Sequence, residues 1–365
     1  MDIVLMIVYA TLILGFLVFI HEGGHYLAAR AFGVRVTEFM LGLPGPNIGF
    51  TKWGTKFGVT PFLLGGYAKV CGMEPGEMSP HLEPVLAALY RRGTANMEDI
   101  ARDCGITDDE AYEALDELVE WGSIAGPTKQ DKYNTYRAPV VKPSKKQVAA
   151  GAVAYELGQA RPVEDAHALF ESEYKQQYRS LPFWKRSVIL VAGVFVNLLF
   201  AMLVFVLVFS VIGFQVAHPD TGEIVTIHAS VLQALQAGFS YIGMVVQLIA
   251  GLFNPWTAGE VVQNSTSVIG IAAMSKQAVD LGLASAISFV ASISVSLGIM
   301  NLLPIPPLDG GRFVIEVFQK ISRKVVTMRA LNYLSAAGMI LFIGFFLFMA
   351  NQDIQRIISG AGFGG

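Results

Sequence analysis

Cysteine is scarce: Cys71 and Cys104 are the only two in 365 residues, which excludes a disulfide-stapled scaffold. Charge is scarce as well. Asp, Glu, Lys and Arg make up 15% of the chain, against about 25% in a typical soluble domain, so an ordinary cytosolic globule is excluded. A formal net charge of −3 removes any general attraction to nucleic acid. Hydrophobic residues, in contrast, reach 53%. Yet 26 basic and 29 acidic residues are too many for membrane spans alone. The charged and apolar parts must be segregated, as in a membrane protein with a soluble part.

A helix needs about 20 apolar residues to cross a ~30 Å hydrocarbon core. Ile3–Ile20 is uncharged and gives span one. Asp2 stands where a signal peptide has its basic region, and no small-residue cleavage site follows, so this reads as a retained helix. Span two runs from Ser187 to about Gly213, span three from about Leu281 to Met300, and span four from Leu331 to about Ala350. A fifth apolar stretch, Val231–Phe253, is ambiguous. Of the basic residues, 19 lie between Arg30 and Arg186 and five between Arg312 and Arg329. Basic segments favour the cytoplasmic side. Four crossings place both segments inside, so Val231–Phe253 is expected to be interfacial or re-entrant on the outer side.

At the inner end of span one stands His21-Glu22-Gly23-Gly24-His25. Residues four apart share a helix face, so His21 and His25 can converge on one ion. Imidazole suits Zn²⁺, and Glu22 can reach a water at the metal. Ionisable groups at membrane depth are costly and usually functional. A catalytic zinc needs a third protein ligand. His81 and His167 fall in the charged region, while His218 and His228 fall on the opposite side by topology; all four read as solvated loop histidines. The candidate is Asp309, the one acidic residue between Leu281 and Gly311. Pro304, Pro306 and Pro307 break regular helix just before it, and such a break at membrane depth must line protein or a watery cavity. A helix cap is the plainer role for Asp309.

His-Glu-Gly-Gly-His ending one span, with Asn301-Leu-Leu-Pro-Ile-Pro-Pro-Leu-Asp309-Gly-Gly ending a later one, resembles the site-2 protease family of intramembrane zinc metalloproteases. More closely it is similar to the bacterial regulator-of-sigma-E protease group. Phe62-Leu63-Leu64-Gly65-Gly66-Tyr67-Ala68-Lys69-Val70 and Phe183-Trp184-Lys185-Arg186 through Asn197 carry the same likeness. The resemblance implies zinc bound by His21, His25 and Asp309, with Glu22 as general base. It also implies substrate held near Asn301, Pro304 and Pro306. Asn197 or Asn301 is a candidate oxyanion or backbone contact, and the Leu63–Val70 strand, with Gly65, Gly66 and Tyr67, is a candidate edge for an unwound substrate. Gly23 and Gly24 either leave room beside the metal or pack closely on another helix. The implied substrates are single-pass membrane proteins, such as an anti-sigma factor or a signal-peptide remnant. Two departures stand out: Val194 replaces a commoner proline, and only about Gln215 to Ser230 separates span two from the next apolar stretch, far short of the PDZ fold of ~90 residues that the group usually carries there.

About 110 residues between Gly72 and Leu181 are not required by that pattern. Helices are expected at Leu82–Arg92, Asn96–Cys104 and Thr107–Trp121, Thr107 forming a capping box with Glu110. Three short helices followed by Gly122-Ser-Ile-Ala resemble a winged helix. The third carries Asp108, Asp109, Glu110, Glu113, Asp116, Glu117 and Glu120, which repel phosphate. A cytoplasmic protein partner is therefore expected, and no nucleic acid. Another helix is expected around Val163–Tyr178. Val34–Met40, Ile48–Trp53 and Lys56–Thr60 read as strands.

The expected fold is a polytopic α-helical membrane protein with four transmembrane helices. A small membrane-associated β-sheet and an inserted helical, winged-helix-like cytoplasmic domain complete it. The divisions are 1–32 for transmembrane helix 1 and 33–72 for the β region. The insertion takes 73–126, and the linker with its amphipathic helix 127–182. Transmembrane helix 2 takes 183–213, the outer-face segment 214–280, and transmembrane helix 3 281–311. A cytoplasmic loop at 312–329 leads to transmembrane helix 4 and the tail at 330–365. The expected site lies near the cytoplasmic side of a bacterial inner membrane, in contact with the lipid bilayer. A metal transporter and a catalytically silent scaffold are the alternatives; against transport, Glu22 has no evident role and no repeat of the spans appears.

Overall fold

The computed structural model describes residues 2–63, 65–73, 76–129, 131, 134–143, 148–149, 151, 153–217 and 224–359. Leu64, His218, parts of the 127–182 linker and the end of the tail lie outside the described residues. Helix α1 (Asp2–Ala31) runs unbroken through the two histidines. Gly23 and Gly24 do not interrupt it, as expected where no water competes for backbone hydrogen bonds. Helix α1 is followed by β1 (Val36–Leu41), β2 (Ile48–Lys52), β3 (Thr55–Val59) and β4 (Gly66–Val70). They form one sheet of order β2-β3-β1-β4. β1 pairs parallel with β3 and antiparallel with β4, so β4 is an edge strand. Trp53 and Gly54, both at positive φ, turn the β2–β3 hairpin. Ile48, Phe50 and Trp53 on that hairpin are exposed.

The insertion contains α2 (Leu82–Arg92), β5 (Thr94–Asn96), α3 (Met97–Cys104), α4 (Asp108–Glu120) and β6 (Thr135–Arg137). Asn96 caps α3 by accepting from Asp99 N at 2.8 Å, and Thr107 and Glu110 form the capping box of α4. β5 pairs antiparallel with β6, a ribbon that the helical periodicity does not reveal. Leu86, Leu89, Ile100, Leu115, Leu118 and Trp121 fill a core of the insertion's own. Helix α5 (Ala166–Tyr174) leads back to the membrane part, packing Phe170 and Tyr174 against Trp121.

Helix α6 (Phe183–Val206) continues as a π-helical turn, Leu207–Ile212. The 214–280 segment holds the hairpin β7 (Phe214–Ala217) and β8 (Ile224–Ile227), then α7 (Val231–Gly251), α8 (Ala258–Asn264) and α9 (Val268–Asp280). Helices α10 (Leu283–Asn301), α11 (Asp309–Ser322) and α12 (Met328–Ser359) close the chain. The segment expected as a loop at 312–329 is therefore largely helical. Phe313 explains the difference, since it packs against the cluster of Val34, Val36, Val70 and Ile189 that joins the sheet to the helices.

Among the described residues, five helices rather than four are long and apolar enough to cross a membrane; the additional one is α7. At 21 residues it extends about 31 Å. It has no internal break, so any re-entrant turn lies beyond it. It starts beside the end of α6, where Ala229 N donates to Phe209 O. Leu252 and Phe253, just past its end, share an apolar cavity with Met300, Leu303 and Leu308. The chain then returns through α8, and Ser267 N donates to Asp353 near the C-terminal end of α12 at 2.7 Å.

Helix α12 lies directly on the proline segment. A Cβ at Gly338 would collide with the Pro306 carbonyl oxygen, whereas one at Gly344 would meet nothing within 4 Å. Gly338→Val is expected to lower the thermal unfolding midpoint of the detergent-solubilised protein by about 2 °C or more. Gly344→Val should leave it unchanged in the same fluorescence melt.

Candidate active site

His21 and His25 sit one turn apart on α1, and both are buried. Asp309 is the first residue of α11, where the helix dipole favours a carboxylate. Its Oδ2 lies 3.0 Å from His21 Nε2 and 3.1 Å from His25 Nε2, and the two Nε2 atoms are 3.4 Å apart. The chain reaches this position by folding the proline segment back on itself. A Cβ at Gly310 would collide with the Leu302 carbonyl, and one at Gly311 with the backbone of Ile305 and Pro306. The two glycines after Asp309 are therefore what allow the fold-back.

The outer nitrogens of both rings are also engaged. His25 Nδ1 donates to the Ile189 carbonyl at 2.7 Å, which leaves Nε2 with its lone pair facing inward. Asn197, fully buried on α6, has its amide nitrogen 3.4 Å from His21 Nδ1, while its Oδ1 has no partner. Exchanging amide O and N gives the His21 ring N–H an acceptor. Oδ1 then accepts from His21 Nδ1–H, and the Nε2 lone pair again faces the centre. The Asn197 carbonyl accepts from Ser294 Oγ at 2.9 Å, tying α10 to α6.

Glycines decide how closely the helices approach. A Cβ at Gly24 would lie 2.6 Å from the Ala192 carbonyl oxygen, so this residue serves close packing of α1 on α6. Gly23 faces open space. The residue that makes room for the imidazoles is Gly193, where a Cβ would fall 2.5 Å from His25 Nε2 and 2.8 Å from His21 Cε1. Gly193 carries no local signal of this role, because its partners are 168 and 172 positions away.

Glu22 Oε2 accepts from the backbone N–H of Ala68 on β4 at 3.0 Å. A cleft of 570 Å³ adjoins this strand, lined by Tyr67, Ala68, Leu190, Pro307, Arg312 and Asn332 among others. Tyr67 thus lines the cleft. Gly66 instead brings β4 close to α1, its Cβ position lying 2.8 Å from Val18 Cγ1 and 3.5 Å from Glu22 Cγ. Gly65 turns into the strand at φ +100°. Asn301, Pro304 and Pro306 are not among the cleft's lining residues; Asn301 ends α10 and Pro306 supports α12. The other described histidines lie elsewhere: His167 is exposed and pairs with Glu83 at 3.0 Å, His81 faces Glu110, and His228 is exposed near Gly213.

Two imidazole nitrogens and one carboxylate oxygen on facing helices form a donor set suited to a catalytic zinc with an open position. Each imidazole has a partner on its outer nitrogen, as zinc ligands require. The sequence model of peptidase family M50 matches residues 9–345. The chain belongs to that family, the site-2 protease family of intramembrane zinc metalloproteases. A Campylobacter jejuni protein named as a candidate zinc metalloprotease is 26% identical, the match covering 95% of this chain and 92% of its own. One of Agrobacterium fabrum, similarly named, is 26% identical with 95% of each chain covered. The regulator of sigma-W protease RasP of Bacillus subtilis is 22% identical, covering 95% of this chain and 97% of its own.

The packing predicts a specific effect of one methyl group. Gly193→Ala is expected to lower zinc affinity by about 10-fold or more, read as metal content after dialysis against a graded chelator. Gly23→Ala should retain zinc in the same assay.

Proposed function

We propose that this chain cuts within the transmembrane segment of single-pass membrane proteins, using zinc held by His21, His25 and Asp309. The observation that carries the reading is the meeting of these three donor atoms beside Glu22 and an edge strand. A zinc ion there supplies a Lewis acid that polarises the scissile carbonyl and makes a nearby water easier to deprotonate. Glu22 takes the proton of the attacking water on its carboxylate and returns it to the leaving amine, a role worth about 10²–10⁴-fold. Asn197 acts through His21 as a positioning residue, in place of the oxyanion contact considered for it. Asn301 remains the candidate for gripping substrate backbone, with Pro304 and Pro306 shaping the turn that carries it.

An intramembrane substrate must be unwound before its peptide bond is reachable. Pairing along β4, with Gly65, Gly66 and Tyr67 at its start, stabilises that extended form. Four crossings by α1, α6, α10 and α12, with α7 and α8 as a re-entrant excursion, keep both basic segments inside. The site then lies near the cytoplasmic face of a bacterial inner membrane. One relative is named as a regulator of sigma-W. That likeness and the family resemblance favour an anti-sigma factor as substrate, or a signal-peptide remnant. The winged-helix-like insertion is read as a module for a cytoplasmic protein partner, its acidic α4 being unsuited to nucleic acid.

The test uses the purified protein, a tagged single-span substrate and Glu22→Gln. Wild type is expected to cleave, chelator to stop it, and Glu22→Gln to bind zinc yet lose activity by at least ~100-fold. Cleavage surviving in Glu22→Gln sinks the mechanism. Zinc binding without cleavage favours a scaffold, and metal flux in proteoliposomes favours transport.

A further inference from the structure

The bond from Ala68 N–H to Glu22 Oε2 serves neither zinc ligation nor proton transfer. β4 has one partner, β1, with Ala68 opposite Phe39. In an antiparallel pair, alternate residues turn their N–H and C=O groups away from the partner strand. The bond to Glu22 shows that Ala68 is one of these outward residues. Its N–H is therefore a group that an added strand must use, and a glutamate oxygen already occupies it. Gly66 permits the contact, because a side chain there would meet Val18 Cγ1 at 2.8 Å and hold β4 off α1. Tyr67, Ala68, Lys69 and Val70 line the adjoining cleft, so the strand is open to an extended occupant.

We infer that Ala68 is a positioning residue whose backbone N–H latches Glu22 until a substrate strand adds to β4. The inference rests on Glu22 being the general base. A substrate carbonyl taking over the Ala68 N–H leaves Glu22 Oε2 without its donor, free to turn to the attacking water. Substrate unwinding and release of the base are then one event. A helical segment that touches the site without adopting the extended form leaves the base latched, which is specificity by induced fit.

Two measurements on the full-length protein in detergent decide it. The first is hydrogen exchange at the Ala68 amide, followed by NMR with ¹⁵N-alanine. Without any ligand, exchange is expected to be about 10-fold or more slower in wild type than in Glu22→Ala. An extended hexapeptide with a reduced, uncleavable central bond should restore slow exchange in Glu22→Ala. Equal rates in the two ligand-free proteins overturn the latch, and this comparison needs no proteolysis. A protein that cleaves nothing yet shows the exchange difference would therefore lose the proposed function and keep the contact. The second replaces Ala68 by lactic acid, an ester that exchanges the N–H for an oxygen, weakens the Tyr67 carbonyl as an acceptor and keeps the side chain. Cleavage of a quenched tetrapeptide too short to pair along Gly66–Val70 is expected to rise about threefold or more, while cleavage of a single-span substrate falls. A role in strand binding alone gives no rise for the tetrapeptide, and a merely structural role lowers both; either result overturns the latch.

Discussion

Three polar side-chain atoms held within 3.4 Å of one another, in a part of the chain otherwise poor in charge, set the constraint on which the remaining structure depends. Such atoms are expensive to remove from water unless each has a partner. The fold meets that cost by supplying partners on both sides of each imidazole. Inward they face Asp309, from 288 and 284 residues away. Outward, His25 meets the Ile189 carbonyl and His21 meets the Asn197 amide, both from α6. Three helices must therefore be placed to within a fraction of an ångström.

Small residues provide that placement. Gly24 and Gly193 remove side chains from the crossing of α1 and α6, while Gly310, Gly311 and Gly338 do the same around the proline segment. In lipid the drive to bring helices together is packing rather than exclusion of water, so close backbone approach is how helices gain attraction. Here that attraction also sets the ligand geometry. The glycine-rich look of both motifs has this physical origin, and the motif glycines act on their neighbours across the bundle.

Much of this was legible in the sequence. The i, i+4 histidines and the isolated carboxylate after a proline break are local patterns, and the structure brings their donor atoms together. The helices of the insertion were legible for the same reason, since Asn96 and Thr107 are caps with local partners. What was not legible depends on distant pairing. Gly193 is ordinary until His25 is packed against it. The pairing of Asn197 with His21, 176 positions apart, leaves no local trace. The central paired positions of the β5–β6 ribbon, Ala95 and Tyr136, lie 41 positions apart, and the packing partners of Phe313 on α11 are also distant in sequence. The strand pattern of Leu63–Val70 suggested an edge, but only the fold places Glu22 on it.

The insertion is bound to this machinery through backbone as well as side chains. Arg35, just before β1, donates to the Gly122 carbonyl at 2.8 Å and to Glu173 Oε2 at 2.8 Å. Its own N–H donates to Gln176 O, its carbonyl accepts from Cys71 N, and Tyr178 N donates to Cys71 O. The insertion and the linker that follows it are thus stitched to the residue before β1 and to the residue after β4. Hydrogen bonds to a charged group contribute about 1.5–3 kcal/mol each, and Arg35 and Glu173 are largely buried, so the junction is stiff compared with an exposed linker. The acidic module belongs to a body that shares backbone hydrogen bonds with the residue following the strand beside Glu22. The distance from Cys71 to Ala68 is three residues, or about 10 Å of extended chain.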